Sequence, residues 1–213
     1  NQLADRATCE WLLYIDADER LSPELIREIR SKISANQHAA FLGPQSANWR
    51  TRTAECSAFY IPRRNFILGK WAKHGGWWPD YVPRLIKRDK LIKWQGKVHE
   101  SPKVDGEFAN LKNPMDHLTA RNLRLMLAKS IGWAKIEAEL YWKSTNPKVT
   151  IIRVIKGSVW EFFTRYILKL GFLDGQVGFI AAMYQAVHKA MISAYLWELQ
   201  NNTRQKFLQL KNQ

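Results

Sequence analysis

A short apolar run near the start of the chain, residues 11–15 (WLLYI), restricts the fold more than any other sequence feature. Five apolar residues are too few for a buried helix and are typical of a buried β-strand. Shortly after it, Ser22-Pro23-Glu24 has the pattern of a helix start: a hydroxyl at the N-cap, proline at the first position and an acid near the positive end of the dipole. A buried strand that leads into a helix predicts an α/β fold.

The pattern along the chain divides it into two regions. Residues 1–118 contain short strand-like runs and a mixed stretch, residues 35–57, that is predicted to be a loop because it holds glycine, proline and many small polar groups. In residues 119–213 apolar residues recur at helical spacing, with a break at Gly171-Phe172-Leu173-Asp174-Gly175. We expect one α/β domain followed by a helical, membrane-associated region.

The charge balance favours an anionic partner. Lysine and arginine number 33 against 19 aspartates and glutamates, a net charge of +14 over 213 residues. This fits nucleic acid, an anionic membrane surface or a phosphorylated substrate. The two cysteines, Cys9 and Cys56, exclude a disulfide framework and fit a reducing compartment. With 46% hydrophobic residues the chain has ample material for a core, which excludes wholesale disorder.

Two carboxylates, Asp16 and Asp18, directly follow the predicted strand. Because the chain leaves the pleat there, both can turn toward one cation. Carboxylate oxygens suit Mg²⁺ or Mn²⁺, which in turn can hold a diphosphate. The alternative is that a D-x-D pair is common and that Asp18 merely begins the turn before the cap at Ser22.

The stretch HGGWWPD, residues 74–80, places two glycines and two tryptophans before a lone acid. The glycines permit a tight bend or a close approach of the backbone to a ligand, and the tryptophans offer flat faces for a sugar or a base. Asp80 is surrounded by cations, so it is expected to be ionised and able to accept a proton from a hydroxyl. The alternative is a surface loop in which Asp80 pairs with Arg84 or Lys87.

A third stretch, residues 94–100 (WQGKVHE), contains His99 beside Glu100. The imidazole is a candidate metal ligand or phosphate contact, with Glu100 orienting its ring. A structural hydrogen-bonded pair is the alternative.

Taken in order, five blocks resemble glycosyltransferase family 2, and within it the bacterial lipopolysaccharide-core enzymes of the heptose-glucosylating type: WLLYIDADERLSPEL, YIPRRNFILGKW, HGGWWPDYVPRLIKR, WQGKVHE and RYILKLGFLDGQVGF. The resemblance implies the C-terminal part of a glycosyltransferase A-type (nucleotide-diphospho-sugar transferase) fold followed by a helical tail. It also implies an inverting transfer from a nucleotide sugar, expected to be a UDP-sugar, with a divalent metal, Mg²⁺ or Mn²⁺. The family's nucleoside-binding segment is not found in these residues, so the chain alone is expected to be inactive and its first strand to lack sheet neighbours.

The resemblance assigns roles to individual residues. Asp80 falls at the position of the general base. The metal site is assigned to Asp16, Asp18 and His99, and the donor diphosphate to Asp18 and His99. The residues predicted to bind the acceptor are Arg63, Arg64, Gly75, Gly76, Trp77, Trp78, Arg84 and Glu100. For Arg63 and Arg64 the alternative is that they belong to a solvated basic face. The pair Val82-Pro83 departs from the family, which more often has a Gln and an apolar residue there.

The helical tail carries two apolar stripes at helical spacing, one of them formed by Trp160, Phe163, Ile167 and Leu170. Such a stripe is either a packing face or one side of an interfacial helix pair with cations on anionic headgroups. A lipid-linked glycan acceptor would favour the second interpretation. The expected location is therefore the cytoplasmic face of the bacterial inner membrane, as a peripheral protein.

The main competing hypothesis is a basic module that binds RNA or another polyanion without catalysis, since interleaved Trp and Tyr in a cationic chain are also typical of such proteins. That hypothesis leaves Asp16 and Asp18 unexplained, because acids are unfavourable near phosphate unless a metal intervenes. The sequence also lacks a ribonucleoprotein signature and zinc-knuckle spacing. Nucleic acid is therefore not the expected partner.

Overall fold

The structure is a computed structural model and describes residues 2–42, 56–96, 100–145 and 147–211. It is a mixed α/β protein with a curled mixed sheet and a C-terminal helical region, which confirms the α/β prediction at that level. The chain forms two compact units. The first comprises Asn1–Phe66 and Trp77–Thr119, and the second comprises Ile67–Gly76 and Ala120–Gln213.

The helices and strands follow one another as an α/β region and then a helical one. In chain order they are α1 (Gln2–Arg6), β1 (Trp11–Leu13), β2 (Glu19–Leu21), α2 (Pro23–Leu42), β3 (Ala58–Ile67), β4 (Lys70–Trp71), β5 (Asp80–Lys87), β6 (Leu91–Gln95), β7 (Ser101–Val104), β8 (Phe108–Asn110), β9 (Met115–Ala120), α3 (Leu123–Lys143), α4 (Ile151–Phe163) and α5 (Gly175–Lys211).

Seven strands form one sheet with the order β1-β5-β3-β9-β2, and β4 and β8 also pair with β3. The pairs β1–β5, β3–β5 and β2–β9 are antiparallel, whereas β8 runs parallel to β3. Strands β6 and β7 form a separate antiparallel ribbon. The expectation that the first strand lacks sheet neighbours is wrong, because the backbone of β1 is paired with β5 from Trp11 to Leu13.

Helix α2 begins where the sequence predicts it. The Leu25 amide donates to Ser22 Oγ over 3.1 Å, which satisfies one of the free N–H groups of the first turn. The helix continues to Leu42, so the predicted loop is wrong for residues 35–42, where alanines and other helix-compatible residues precede the first glycine. Residues 43–55 lie outside the described part of the chain.

The core of the first unit lies between α2 and the apolar part of one face of the main sheet. Its buried members are Trp11, Leu25, Ile29, Cys56, Phe59, Ile61, Leu85, Leu111 and Met115. Each fully buried large side chain contributes about 1.5–3 kcal/mol relative to an exposed position. This packing fixes the strands that carry the polar residues described below.

The second unit is built on long helices. Helix α3 is capped by Asn122, whose side chain accepts from the Leu125 amide at 2.9 Å. Helices α3 and α5 pack through small and apolar side chains that include Ala134, Ala138, Ile192 and Leu196. As predicted, the chain breaks between α4 and α5, through a π-helical turn and a 3₁₀ turn that ends at Asp174.

Two glycines allow the chain to return tightly at this break. A Cβ on Gly178 would lie 1.8 Å from the Gly171 carbonyl oxygen, so Gly178→Ala is expected to lower the free energy of unfolding by about 1–3 kcal/mol through overpacking. Gly132→Ala in α3 is a matched control, since nothing lies within 4 Å of its Cβ. It should raise stability by about 0.5–1 kcal/mol. Urea unfolding measures the free energy of unfolding of both variants. Equal changes in the two would contradict the close packing at Gly178.

Within the described residues, no helix by itself has the length and apolarity to cross a bilayer. The segments Ile151–Leu168 and Gly171–Asn202, which are bent by 71° at the break, meet that criterion only as a pair.

Candidate functional site

One face of the main sheet changes from apolar to polar along its strands. On β3 the alternating residues Phe59 and Ile61 are buried in the core, and the next two on the same face are Arg63 and Asn65. A connected set of polar side chains occupies this end of the face and the β1–β2 connection. We call it the polar cluster, and its members are Asp16, Asp18, Glu19, Arg63, Asn65, Asp80, Arg84, His117 and Thr119.

Glu19 lies at the centre of the polar cluster and its side chain is fully buried. One carboxylate oxygen accepts from Arg84 at 2.6 Å and lies 3.5 Å from Arg63, while the other accepts from the Asp16 amide at 3.0 Å. The Glu19 amide returns a hydrogen bond to the Asp16 carbonyl, which closes the turn that holds Asp16 and Asp18. Glu19 therefore fixes the backbone of this turn and two guanidinium groups together.

Arg84 is directed into the polar cluster by an irregularity in β5. Phe59 pairs with Leu85 and Tyr60 pairs with Pro83, so Arg84 is an extra residue at a β-bulge, beside a proline that cannot donate to the ladder. Its guanidinium contacts both Glu19 and the Asp16 carboxylate. Burial favours a lower pKa for Arg84, but the hydrogen bonds and charges of Glu19 and Asp16 outweigh burial and raise that pKa.

Asp80 is held by two residues of β3. It lies directly opposite Arg63 in the antiparallel pair, and its Oδ2 accepts from Arg63 at 2.7 Å and from the Asn65 amide at 3.0 Å. No described residue provides a hydrogen bond to Oδ1. The carboxylate is about one-third exposed, so a hydroxyl group can reach it from solvent.

Asn65 links Asp80 to His117 and is itself buried. Its NH₂ group donates to Asp80 and to the Trp77 carbonyl, so its Oδ1 is the acceptor for His117 Nδ1 at 2.7 Å and for the Thr119 hydroxyl at 2.7 Å. This network assigns the ring proton of His117 to Nδ1. The lone pair of a neutral imidazole is then on Nε2.

His117 Nε2 faces Asp18 at a distance of 3.6 Å from Oδ1. Burial lowers the pKa of His117 and the charge of Arg63 lowers it further, against the opposing effect of the nearby carboxylates. The ring is therefore neutral at neutral pH and directs a lone pair toward a carboxylate. A divalent cation with metal–ligand distances of about 2.1 Å can contact both groups at this separation.

The charge of the polar cluster also suits a cation. It holds four carboxylates and two guanidinium groups: Asp16, Asp18, Glu19, Asp80, Arg63 and Arg84. With a neutral imidazole the cluster has a net charge of two negative, within a chain of net charge +14. No group of three or more His, Cys, Asp or Glu side chains that could hold a metal occurs in the described residues. Asp18 and His117 could provide two ligands to a cation, which would need the rest of its coordination from a bound phosphate or from water.

The three arginines that are predicted to bind the acceptor lie on two different faces of the main sheet. Arg63 and Arg84 are engaged with carboxylates of the polar cluster. Arg64 follows Arg63 on the strand and so points to the opposite sheet face, where its Nε donates to Asp116 at 2.6 Å. Acceptor binding by these three residues stays a prediction.

The predicted glycine–tryptophan stretch divides between the two units. Gly75 and Gly76 belong to the second unit, where the Gly75 amide donates to the Lys169 carbonyl at 2.8 Å and its carbonyl accepts from Arg165 at 3.0 Å. Gly76 has a φ of +80°, and the Lys169 side chain lies 2.9 Å from the position that a Cβ would occupy. Trp77 and Trp78 belong to the first unit, where the Trp77 carbonyl accepts from Asn65.

The third predicted group is only partly described. His99 lies outside the described residues, so its assignment to the metal and the diphosphate stays a prediction. Glu100 is exposed and immediately precedes β7.

Sequence reasoning missed four members of the polar cluster: Glu19, Asn65, His117 and Thr119. The available signal was the spacing of Met115, His117 and Thr119. Residues two apart in a strand share one face, and this face is apolar at Met115 and polar at His117 and Thr119. It went unrecognised because β9 was not predicted as a strand.

Glu19→Ala is expected to lower the free energy of unfolding by about 3–5 kcal/mol, because it leaves two largely buried guanidinium groups without their shared carboxylate. Glu24→Ala provides the control, since Glu24 forms an exposed ion pair with Arg27 and should change stability very little. Denaturant unfolding compares them, and similar small losses for both would show that Glu19 does not organise the cluster.

No protein-family model matches the chain.

Proposed function

We propose that this chain is the catalytic part of an inverting, metal-dependent glycosyltransferase related to glycosyltransferase family 2. It would transfer a sugar from a nucleotide sugar, a UDP-sugar in the first instance, to a lipopolysaccharide-core or similar lipid-linked glycan at the cytoplasmic face of the inner membrane. The observation that supports this most is the polar cluster, which joins a candidate cation site at Asp18 and His117 to a candidate base at Asp80 through one residue, Asn65. The proposed fold is of the glycosyltransferase A type, within the mixed α/β architecture described above.

In the proposed reaction Asp80 accepts the proton of the acceptor hydroxyl while that oxygen bonds to the anomeric carbon. The bond from this carbon to the donor phosphate oxygen breaks, and its electron pair leaves with the nucleoside diphosphate. Arg63 and Asn65 hold Asp80 Oδ2 in place, so the carboxylate meets the hydroxyl in a fixed orientation. Pre-positioning of this kind is part of the catalytic effect of a general base.

Asp18 and His117 would hold the divalent cation, which when bound would neutralise the charge that grows on the departing diphosphate. Asn65 and Thr119 keep the His117 ring in the tautomer that presents Nε2. Asp16 is engaged with Arg84, so in this arrangement it stabilises the turn and Asp18 provides the oxygen nearest to His117.

The proposal is tested by calorimetric titration of the chain with UDP in the presence and absence of Mn²⁺. Transfer is then assayed with the chain joined to a nucleoside-binding segment of family 2, using a panel of nucleotide sugars and lipopolysaccharide core as the acceptor. Binding that depends on Mn²⁺, with transfer in the panel, supports it. An RNA oligonucleotide is titrated in parallel. Tight binding of RNA together with no metal-dependent binding of UDP would overturn the proposal in favour of the polyanion-binding hypothesis.

A further inference from the structure

The second unit exposes far more apolar surface than a water-soluble helical region normally does. Between residues 151 and 187, fifteen large apolar side chains are more than one-third exposed. The most exposed lie along α4 and range from 57% for Ile155 to 79% for Ile151. Together with Phe163, which is 41% exposed, these residues form what we call the apolar face; its members are Ile151, Ile152, Ile155, Val159, Trp160 and Phe163. Monomeric soluble proteins rarely leave a continuous patch of this kind uncovered.

Charges beside the apolar face are mostly positive. Arg153 and Lys156 are exposed on α4 among its apolar residues. The acids between residues 147 and 197 are both paired, Glu161 with Arg165 at 2.6 Å and Asp174 with His74 at 2.7 Å. An occupant with apolar material bordered by negative charge therefore complements this surface, and an anionic bilayer has that composition.

The positions of Arg153 and Lys156 on α4 determine how the apolar face would lie on a bilayer. Lys156 follows Ile152 by one helical turn and precedes Val159 by less than one, so it belongs to the same side of α4 as the apolar residues. A helix perpendicular to the bilayer would carry Arg153 and Lys156 into the hydrocarbon, which costs several kcal/mol. A helix in the plane of the interface lets both side chains extend to the headgroups. The bend of 71° before α5 also fits a pair of helices that lies on the membrane.

We propose that the apolar face is a docking surface for an anionic lipid bilayer, with α4 lying in the headgroup region and not crossing the membrane. This inference rests on the proposed function only for its biological setting, because lipid binding needs neither donor nor acceptor. Through this face and an anionic bilayer, the protein would reach a lipid-linked acceptor.

The test is co-sedimentation of the whole chain with vesicles of phosphatidylglycerol and phosphatidylethanolamine, without nucleotide sugar. Ile155→Ser should weaken binding about tenfold, since one large apolar side chain no longer enters the interface. Ile92→Ser is a matched control, because Ile92 on β6 has an exposure of 56% against 57% for Ile155. It should change binding by less than about twofold. Circular dichroism verifies that both variants keep their helix content.

The charge contribution is tested in the same assay. Lys156→Gln should weaken vesicle binding about fivefold, which corresponds to about 1 kcal/mol for one cation at an anionic surface. Lys93→Gln on β6 is the control and should leave vesicle binding unchanged. Binding by the unaltered chain should also fall steeply between about 0.05 M and 0.5 M salt. Equal effects of the Ile155 and Ile92 substitutions, or no binding to vesicles, would overturn the inference.

Two further outcomes distinguish docking on lipid from self-association and from the proposed function. If the chain self-associates in analytical ultracentrifugation and Ile155→Ser abolishes that association without affecting vesicle binding, a second copy covers the face and the inference is wrong. If vesicle binding behaves as expected but the chain shows no Mn²⁺-dependent binding of UDP and supports no transfer when joined to a nucleoside-binding segment, the proposed function fails and the docking surface stands.

Discussion

In a preparation that carries out transfer, with the chain joined to a nucleoside-binding segment, replacing Asp80 by asparagine is expected to lower kcat by about 10²–10⁴-fold with little change in the affinity for the donor. The amide keeps the shape of the side chain and can still accept hydrogen bonds from Arg63 and Asn65, but it cannot take up the proton of the acceptor hydroxyl. Initial-rate kinetics measure kcat, and calorimetry with the nucleoside diphosphate and Mn²⁺ measures donor-site affinity.

Asp116→Asn is the matched control for this experiment. Asp116 pairs with Arg64 much as Asp80 pairs with Arg63, and the two aspartates have side-chain exposures of 33% and 31%. It lies outside the polar cluster, on the opposite sheet face, so its variant should keep near-normal kcat. A comparable loss in both variants, or a normal rate in Asp80→Asn, would remove Asp80 from the role of base.

Replacing Asp18 by alanine is expected to abolish Mn²⁺-dependent binding of UDP, because the cation connects the protein to the diphosphate. His117→Ala should weaken the same binding strongly, since Nε2 faces Asp18 across 3.6 Å. Electron paramagnetic resonance of Mn²⁺ alone gives a second measure that does not depend on turnover.

Asp105→Ala is the control for the metal experiment, because Asp105 forms an exposed ion pair with Lys90 and lies outside the polar cluster. Unchanged Mn²⁺-dependent binding in Asp18→Ala would mean that Asp18 serves only the turn between β1 and β2. Weak binding in Asp105→Ala as well would indicate a diffuse effect of negative charge instead of a site.

Features of the fold whose signal lies within a few neighbouring residues could be predicted from the sequence. The cap at Ser22 and the break after α4 are both predicted correctly, because each depends on neighbouring residues. Strand β9 was missed because its six residues alternate apolar and polar groups only briefly, and their meaning depends on pairing with distant strands.

The same distinction applies to the candidate site. The sequence draws attention to Asp16 and Asp18 because they directly follow a predicted strand, and to Asp80 because it is a lone acid among many cations. It does not reveal that Glu19 and Asn65 connect them, since those contacts join residues far apart in sequence. The bulge that directs Arg84 toward Glu19 depends on strand register, which no local pattern encodes.

The attachment of residues 74–76 to the break after α4 has a further consequence. His74 is fastened to Asp174 through its ring and its amide, and Gly75 bonds to Lys169 and Arg165 on the same segment. If α4 rests on a bilayer as proposed, residues 74–76 are therefore anchored to the membrane-bound helices and cannot move away from them without breaking these hydrogen bonds.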